Sequence, residues 1–274
     1  MEIIKDRYVW LDESHPNFER WKRARDISTL RGEFVKSVIE KVIEPKGLKI
    51  LDLGSGEGET SYLFSKENFV VGFDLNRDRL SVQRCLTKSI DIVCGNVTQL
   101  PFIPGSFDLI ILQDVIEHLP DRKNLIYKLH SLLTYDGIIY LSTPNRISIF
   151  NILSDPHWGV PLISLLKRET IRKYFLKYFR KSEIDREDIA ELLSLKHLQN
   201  LFNNKFEIII FTRHSVKELF NGNKGIVWSD FHLKLIRIAT KLKLNKLILK
   251  LANDKPGIVN KYFTPTFYLF LKKK

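Results

Sequence analysis

The chain has 274 residues, of which 44% are hydrophobic and 28% are charged, and its formal net charge is +12. This length allows one large domain, or a domain with a cap, and is sufficient to bury a sizeable core. The chain has no repeat, no low-complexity tract and no charge-free apolar stretch of membrane-spanning length. Because the first residues also lack the continuous apolar segment of a secretory signal, we expect a soluble, cytoplasmic protein.

The positive charge lies almost entirely in the second half of the chain. Residues 1–145 carry 19 Lys and Arg against 21 Asp and Glu, a net of −2, whereas residues 146–274 carry 25 against 11, a net of +14. This asymmetry favours an anionic partner on the second half. The alternative is that lysine-rich helices only keep the protein soluble. The two cysteines, Cys85 and Cys94, have no metal-ligand spacing, so we expect buried, reduced thiols.

The N-terminal region predicts helices. Apolar residues recur at helical intervals over residues 17–44, before Pro45, Lys46 and Gly47 break the pattern. We therefore expect residues 1–47 to form one or two amphipathic helices that cover the entrance of a binding site.

Residues 48–145 alternate short apolar strands with helical segments. The predicted strands are 48–53, 69–74, 90–94, 107–112 and 137–143. This alternation is typical of a parallel sheet with helices on both faces and right-handed crossovers. In such sheets, ligands bind beyond the carboxyl ends of the strands.

The end of the first strand has the pattern of a nucleoside-cofactor site. The strand leads into Asp52 and a loop with Gly54, Gly56 and Gly58. These glycines allow a tight turn and a close approach of the backbone to a ligand. The second strand ends at Asp74, where a carboxylate can accept hydrogen bonds from both hydroxyls of a ribose. The alternative is a plain strand-to-helix turn without a ligand.

The charge of this loop separates two classes of cofactor. A dinucleotide fingerprint needs its third glycine at position 59, where this chain has Glu59. The carboxylates of Asp52, Glu57 and Glu59 would repel a pyrophosphate and favour a ligand with a sulfonium and an ammonium group. S-adenosylmethionine has both cations and a ribose.

Residues 48–145 resemble the class I S-adenosylmethionine-dependent methyltransferases, and in motif pattern the small-molecule and quinone-biosynthesis members most closely. The matching segments are LDLGSGEG at 51–58, VVGFDLN at 70–76, GNVTQLPF at 95–102, FDLIILQDVIEHLPD at 107–121 and GIIYLSTPN at 137–145. The resemblance implies an α/β fold with a doubly wound, seven-stranded, mostly parallel Rossmann-like sheet. Residues 48–145 would be its S-adenosylmethionine-binding core.

The resemblance also implies a set of cofactor contacts. Asp52 and the glycines would hold the methionine end, Asp74 the ribose, and Gln113 would face the methionine moiety. Asn96, in place of a more frequent Asp, would accept a hydrogen bond from the adenine amino group. The full predicted set is Asp52, Gly54, Gly56, Gly58, Asp74, Leu75, Asn96, Val97 and Gln113, of which Leu75 and Val97 would flank the adenine ring.

The run DVIEHLPD at 114–121 suggests a metal site. We expect Asp114 and Glu117 to share one face of a helix, beside His118. The run resembles the acidic-x-x-Glu-His pattern of quinone-biosynthesis O-methyltransferases, some of which hold a divalent cation there. Zinc or manganese would suit these three ligands better than magnesium, and would polarise a phenol or catechol oxygen. The alternative is that Glu117 and His118 only cap or pack the helix.

Two histidines are candidate general bases. His118 has an unperturbed pKa near neutrality, which suits proton transfer. His157 lies in the proline-bounded turn DPHWG and is the second candidate. The alternative for His157 is a purely structural turn.

The remainder of the chain predicts two insertions into the tail of the fold. The segments are the mainly helical cap insertions 146–192 and 213–262, and the sheet remainder 193–212 and 263–274. The closing strand at 266–271 is expected to pair antiparallel with residues 206–211. Both insertions would then lie near the same end of the sheet.

The predicted function is methyl transfer from S-adenosylmethionine to a small-molecule, lipid or saccharide acceptor, with oxygen as the expected target. The helical region 228–251 has Trp228, Phe231 and Leu235 opposite basic residues, so it could lie peripherally on an anionic membrane. Nucleic acid is a disfavoured acceptor, because no recognition motif follows the fourth strand. A non-catalytic binding module with the same fold is the alternative to an enzyme, and the oligomeric state is left open.

Overall fold

The computed structural model describes residues 13–186, 188–223, 225–227 and 229–274. Trp228 and the first twelve residues, which entered the predictions above, lie outside the described residues. The strands are β1 Lys49–Leu53, β2 Phe69–Asp74, β3 Ile90–Cys94, β4 Phe107–Gln113, β5 Leu133–Pro144, β6 Phe206–Ile210 and β7 Thr266–Lys273. They form a 7-stranded sheet in the order β3-β2-β1-β4-β5-β7-β6.

The pairing of the strands confirms the predicted fold class. Strands β1 to β5 pair in parallel, and β7 runs antiparallel to both β5 and β6. The order reverses between β1 and β4, so the crevice beyond their carboxyl ends is where a ligand is expected. The chain therefore has the doubly wound, Rossmann-like sheet that its alternating pattern predicted.

Helices cover both faces of the sheet. They are α1 Phe18–Asp26, α2 Ser28–Ile39, α3 Glu59–Phe64, α4 Arg77–Leu86, α5 Arg122–Leu132, α6 Ile149–Leu153, α7 Leu195–Phe202, α8 Thr212–Phe220, α9 Asp230–Lys241, α10 Leu244–Leu251 and α11 Ile258–Tyr262. A further helical segment at 168–179 has α-helical ends and a π-helical centre, Ile171–Leu176. The N-terminal region thus forms two helices, separated at Ile27.

The core has two layers, one on each side of the sheet. On one side, Leu125 and Leu129 of α5 and Leu198 of α7 pack against apolar side chains of the central strands. On the other side, Phe34 and Val38 of α2 pack against alternate side chains of the same strands. This division follows from the period of a strand, since successive side chains point to opposite faces.

Both insertions are tied to the carboxyl end of β5. The side-chain amide of Asn145 donates hydrogen bonds to the backbone oxygens of Asn260, Lys261 and Thr264, at 3.2, 2.9 and 2.9 Å. The amide of Asn151 donates to the backbone oxygen of Pro265 at 2.7 Å. The first and second insertions therefore meet at this edge, while their predicted limits stay a prediction.

The expectation for the cysteines was wrong in one respect. Cys85 and Cys94 are both free thiols, but both are exposed rather than buried. Cys94 ends β3, which is an outermost strand of the described sheet. Among the described residues, no helix has the length and apolar composition needed to cross a membrane.

Candidate active site

The glycine loop after β1 turns sharply beneath the end of β2. The backbone N–H of Gly54 donates to the backbone oxygen of Phe73 at 2.7 Å, which fixes the loop to the neighbouring strand. The backbone φ angles are positive at Gly54, Gly56 and Gly58, at 81°, 59° and 90°. Residues other than glycine rarely adopt this backbone conformation. The loop therefore needs glycine at all three positions for its backbone path.

The surroundings of the three glycines differ, and this difference locates the ligand space. A Cβ at Gly54 would lie 2.4 Å from Cγ2 of Val115, and one at Gly58 would lie 2.3 Å from Cγ of Gln83. A Cβ at Gly56 would meet no atom within 4 Å. The open space in the loop thus lies at Gly56, where a ligand can approach the backbone.

The carboxylate of Asp74 lies beside this space. Its Oδ2 accepts a hydrogen bond from the backbone N–H of Gly56 at 2.9 Å, and its Oδ1 accepts one from Asn76 at 2.8 Å. These two bonds orient the carboxylate and leave each oxygen a second lone pair for a hydroxyl. The contact of Asp74 with a ribose stays a prediction.

Asp52 lies buried behind the loop. Its Oδ2 accepts a hydrogen bond from the hydroxyl of Ser61 at 2.5 Å. Burial raises the pKa of Asp52 to about 6, and the Ser61 hydrogen bond opposes this rise. A cationic ligand group nearby would compensate the cost of the buried charge.

The charge of the loop is partly neutralised within the protein. Glu57 is buried and its Oε1 accepts a hydrogen bond from Nε of Arg25 in α1. This pairing, between residues far apart in sequence, reduces the negative field that the sequence argument attributed to Asp52, Glu57 and Glu59. The preference for a cationic ligand therefore rests chiefly on Asp52 and Asp74.

The predicted adenine contacts lie at the ends of β2 and β3. Leu75 is 68% exposed directly after Asp74, and Val97 packs partly against the core. Oδ1 of Asn96 already accepts hydrogen bonds from the backbone N–H and the hydroxyl of Thr98, both at 2.9 Å. Because these bonds occupy both lone pairs of Oδ1, the predicted bond from Asn96 to an adenine amino group would have to displace one of them.

Gln113 and Asp114 diverge at the end of β4. Oε1 of Gln113 accepts a hydrogen bond from the hydroxyl of Thr60 at 2.8 Å. This bond orients the side-chain amide of Gln113 toward α3, the helix that follows the glycine loop. Asp114 has a positive φ of 56°, and its carboxylate pairs with Arg31 of α2 and accepts a 3.2 Å hydrogen bond from Ser142.

This geometry corrects the expectation that Asp114 and Glu117 share a helix face. Asp114 lies in a left-handed turn, and the helix that follows is a single 3₁₀ turn, Ile116–His118. In the part of the chain that the structure describes, Asp114 is not a member of any cluster with convergent metal-ligand atoms. Its carboxylate is bound to Arg31 instead.

The structure brings together a different set of candidate ligands. These are Glu117, His118 and His157. One ligand atom from each lies within 4.8 Å of the other two. The rings of His118 and His157 are 5.0 Å apart between centroids, and Nε2 of His157 lies 3.9 Å from Oε1 of Glu117. Both candidate bases therefore belong to one site, although they come from different elements.

Glu117 is a fully buried carboxyl group. Its Oε2 accepts a hydrogen bond from the hydroxyl of Thr143 at 2.9 Å, whereas Oε1 has no hydrogen-bond partner among the described residues. Burial, and then the nearby charge of Asp114, raises the pKa of Glu117. An unpaired oxygen at this depth is costly, so it is expected to meet a proton, a cation or a ligand donor.

The protonation of the two histidines follows from their surroundings. Nδ1 of His118 lies 2.8 Å from the backbone oxygen of Asp188, so Nδ1 carries the proton and Nε2 holds a free lone pair. Burial lowers the pKa of His118, and it lowers that of His157 further. Both rings are therefore neutral near pH 7, as a general base must be before it accepts a proton.

A cavity of about 100 Å³ opens beside the two histidines. It is lined by Arg20, Trp21, Ala24, His118, Pro156, His157, Trp158, Arg186, Asp188 and Ala190. The sequence analysis identified His118 and His157 and predicted that the N-terminal helices cover a binding site. It did not identify Trp21 or Arg186 as lining residues, since an amphipathic pattern does not distinguish a side chain that lines a cavity from one that packs in the core.

The cavity and the glycine loop are joined by two contacts. Arg25 of α1, one turn beyond Trp21, binds Glu57 of the loop, and Val115 packs against Gly54 just before the segment that carries Glu117 and His118. These two contacts connect the elements around the cavity to the glycine loop. The binding of a nucleoside by the loop and the role of a histidine as a base stay predictions.

Comparison with known sequences shows which proteins this chain is similar to. A family model described as a methyltransferase domain matches residues 51–141. A probable S-adenosylmethionine-dependent methyltransferase of Mycolicibacterium smegmatis is 32% identical over 103 residues, which are 37% of this chain and 40% of that protein. A ubiquinone biosynthesis O-methyltransferase of Pseudomonas aeruginosa is 28% identical over 173 residues, 60% of this chain and 70% of that protein.

Solved structures show the same fold. An S-adenosylmethionine-dependent methyltransferase from Mesorhizobium loti superposes with a TM-score of 0.53 at 15% identity, covering 87% of this chain and 96% of that one. A phosphoethanolamine N-methyltransferase of Haemonchus contortus in complex with S-adenosylmethionine has a TM-score of 0.52 at 15% identity, covering 88% of this chain and 52% of that one.

The fold is that of an α/β protein with a crevice at its topological switch point, where such sheets bind ligands. Residues 51–141 match a methyltransferase domain. In sequence and in fold, the chain is similar to class I S-adenosylmethionine-dependent methyltransferases.

Proposed function

We propose that this protein transfers the methyl group of S-adenosylmethionine to a hydroxyl oxygen of a small-molecule acceptor bound in the cavity beside His118 and His157. The observation that carries the proposal is the convergence of these two neutral imidazoles with the buried carboxyl of Glu117, two residues after Val115, which packs against Gly54 of the glycine loop.

S-adenosylmethionine supplies an activated methyl group on a sulfonium, so the protein's task is to align the acceptor, exclude water and remove one proton. As the acceptor oxygen bonds to the methyl carbon, the carbon–sulfur bond breaks and a neutral thioether remains. The hydroxyl proton passes to Nε2 of His118, whose Nδ1 is held by the backbone oxygen of Asp188.

The lining of the cavity favours an aromatic hydroxyl, such as a phenol or catechol. Trp21 and Trp158 supply apolar ring surface, and the guanidinium of Arg20 supplies positive charge near the site where a phenolate would develop. A volume of about 100 Å³ suits a small ring better than a sugar chain. Lipid acceptors with a small head and saccharides are the alternatives within the same class of reaction.

The cluster also supports a divalent cation as a second proposal. Oε1 of Glu117 lacks a partner among the described residues, and the hydrogen bond from His118 to Asp188 is the kind that orients a metal-ligating imidazole. Two imidazoles and one carboxylate suit zinc or manganese better than magnesium. The ligands would then be Glu117, His118 and His157, with Asp114 replaced by His157. A bound cation would polarise the acceptor oxygen as a Lewis acid.

The test is incubation of the purified protein with methyl-labelled S-adenosylmethionine and separate panels of catechols, phenols, saccharides and RNA. Label in a catechol or phenol product, lost in His118→Gln without a change in adenosylhomocysteine affinity, would support the proposal. Cofactor binding with no transfer to any hydroxyl acceptor, or transfer only to RNA, would refute it.

Calorimetric titration of zinc and manganese into the protein tests the cation separately. We expect binding that Glu117→Gln abolishes and that Asp114→Asn leaves intact. Heat that is unchanged in Glu117→Gln, or activity unaffected by chelation, would leave Glu117 as a packing residue beside the base.

A further inference from the structure

Two consecutive helices of the second insertion, α9 and α10, expose rows of large apolar side chains. The exposed members are Phe231, Ile238 and Leu242 on α9 and its C-cap, and Leu244, Leu247 and Leu251 on α10, with exposures from 43% to 64%. Within each helix these positions recur at intervals of three, four or seven residues and so share one face. Single exposed apolar residues are ordinary, but two adjacent rows mark a surface that binds something.

The apolar rows are not the faces with which these helices pack on the protein. On α9 the buried positions are His232 and Ile236, which point into the body of the molecule. On α10 the inner positions are Ile248 and Leu249, which pack partly against Val216 and Val259. The outer rows are therefore additional to the packing that holds the helices in place.

The two helices and their connection, residues 230–251, which we call the α9–α10 hairpin, are strongly and uniformly basic. Between Asp230 and Asp254 the chain has six lysine or arginine residues and no acidic residue. These are Lys234, Arg237, Lys241, Lys243, Lys246 and Lys250, and all six are exposed. None forms a salt bridge with a carboxylate in the described part of the chain. A row of exposed apolar side chains beside cations without salt bridges is complementary to the surface of a lipid bilayer that has an apolar interior and anionic head groups.

We propose that the α9–α10 hairpin docks on an anionic lipid surface, lying in the interface with its apolar rows inserted and its lysines among the head groups. Neither helix has the length to span a membrane. A second copy of this chain is a poorer occupant, because facing the two hairpins would bring like charges together without any carboxylate to pair them.

The two helices contact α1 and the first insertion, both of which also carry residues that line the cavity. Asp230, the first residue of α9, binds Arg23 at 2.6 Å, and Arg23 lies in α1 between Trp21 and Ala24, which line the cavity. His232 contacts the backbone oxygen of Phe150 at 3.0 Å, in the first insertion that carries His157. Docking would therefore place the lipid surface next to the helices that enclose the proposed acceptor pocket.

This arrangement deepens the proposed function and rests on it in one respect. If the cavity binds the methyl acceptor, the docked orientation suits an acceptor whose ring enters the cavity while an apolar tail remains in the lipid. The lipid contact itself follows from the hairpin alone, and it can be measured without an acceptor or a cofactor.

The first experiment is co-sedimentation of the full chain with vesicles of phosphatidylcholine, with and without phosphatidylglycerol. We expect binding only to the vesicles with phosphatidylglycerol, weakening as salt screens the lysines. No binding to anionic vesicles at low salt would overturn the proposal, as would equal binding to both compositions in all variants.

Two double variants separate the charge from the apolar rows. Lys246→Ala/Lys250→Ala should weaken binding about 10- to 30-fold, because each lysine near an anionic surface contributes about 1 kcal/mol. Leu247→Ser/Leu251→Ser should weaken it by a similar factor. The controls are Lys88→Ala/Lys123→Ala and Ile103→Ser/Tyr135→Ser, which change exposed side chains elsewhere and should bind as the parent does.

Two further measurements keep the outcome clear. Adenosylhomocysteine binding by calorimetry should be the same in all four double variants, so failure of the lipid proposal is distinguishable from failure of the cofactor site. Light scattering in the absence of lipid should show no self-association that depends on Leu247 and Leu251. A dimer that dissociates in Leu247→Ser/Leu251→Ser would instead identify the rows as an interface between copies.

Discussion

Oε1 of Glu117 lies 3.9 Å from Nε2 of His157, although Glu117 follows β4 and His157 lies in the first insertion. The fully buried Oε1 has no hydrogen-bond partner among the described residues, and His157 is only 20% exposed. The first insertion therefore contributes to the candidate site, because it places the imidazole of His157 beside Glu117 and His118 after β4. The following predictions test this site and the cofactor loop next to it.

His118→Gln is expected to lower kcat with a phenolic acceptor by about 10²- to 10⁴-fold, the usual contribution of a general base. His157→Gln should lower it less if His157 only supports the site. Neither change should alter the affinity for adenosylhomocysteine, which calorimetry measures. Equal and small effects of both substitutions on kcat would contradict a role for His118 as the base.

Asp74→Asn should weaken adenosylhomocysteine binding by about 10- to 100-fold, because charge-assisted hydrogen bonds to the ribose contribute about 1.5–3 kcal/mol. The amide keeps one oxygen for the backbone N–H groups of Gly56 or Asn76, so the fold should survive. Asp78→Asn, on the exposed first turn of α4, is the matched control and should bind normally. Unchanged affinity in Asp74→Asn would place the ribose elsewhere.

Gly56→Ala and Gly58→Ala should separate binding from stability. At Gly56 a methyl group meets no protein atom within 4 Å, so the cost to folding is only about 1–2 kcal/mol for the left-handed backbone, while the ligand space is filled. At Gly58 the methyl would lie 2.3 Å from Cγ of Gln83, so the free energy of unfolding should fall more. Urea unfolding and calorimetry would measure the two effects.

Asp52→Asn should raise stability at high pH and weaken cofactor binding. Burial raises the pKa of Asp52 from 3.8 to about 6. The folded protein therefore binds this proton more tightly than the unfolded chain does, and the resulting stability is present below pH about 4 and is lost as the pH rises through about 6. Removing the ionisable group should add about 1–3 kcal/mol at pH 8 and nothing at low pH.

The check for Asp52 is thermal unfolding of both proteins across this pH range, together with adenosylhomocysteine calorimetry. In the parent, affinity should also fall as the pH drops below about 6, since the ligand's ammonium group prefers the ionised carboxylate. A parent and variant with parallel stability curves would contradict the proposed burial of charge.

Asn96→Asp should strengthen adenosylhomocysteine binding severalfold. The present Oδ1 is occupied by two hydrogen bonds from Thr98, and a carboxylate would keep these on one oxygen and offer the second oxygen to the adenine amino group. Inosine-type analogues, which lack that amino group, should not gain. Equal gains for both ligands would indicate a general electrostatic effect.

Much of the fold could be predicted from local patterns. The apolar runs of β1 and β2, the spaced glycines and Asp74 are contiguous in sequence, and their spacing alone restricts them to one strand-loop-helix geometry. The antiparallel β7 was also predicted, and the structure confirms its pairing with β6. In these elements, local propensity and period agree with the tertiary fold.

The metal-ligand set and the loop charges were less predictable because long-range contacts decide them. A left-handed backbone at Asp114 and an ion pair with Arg31 remove that carboxylate from the cluster. Arg25 likewise neutralises Glu57 from another helix. Neither partner is indicated by its own sequence context, which is only an amphipathic helix.

The sequence by itself determined a parallel sheet with a glycine loop, a carboxylate at Asp74 after the second strand and a basic second half, because period, spacing and composition are local properties. The tertiary structure alone decided that His157 joins Glu117 and His118, and that Trp21 and Ala24 of α1 line the cavity beside them. These contacts depend on how the first insertion and the N-terminal helices pack. Packing brings together residues that are distant in sequence, and no local pattern predicts which of them will meet.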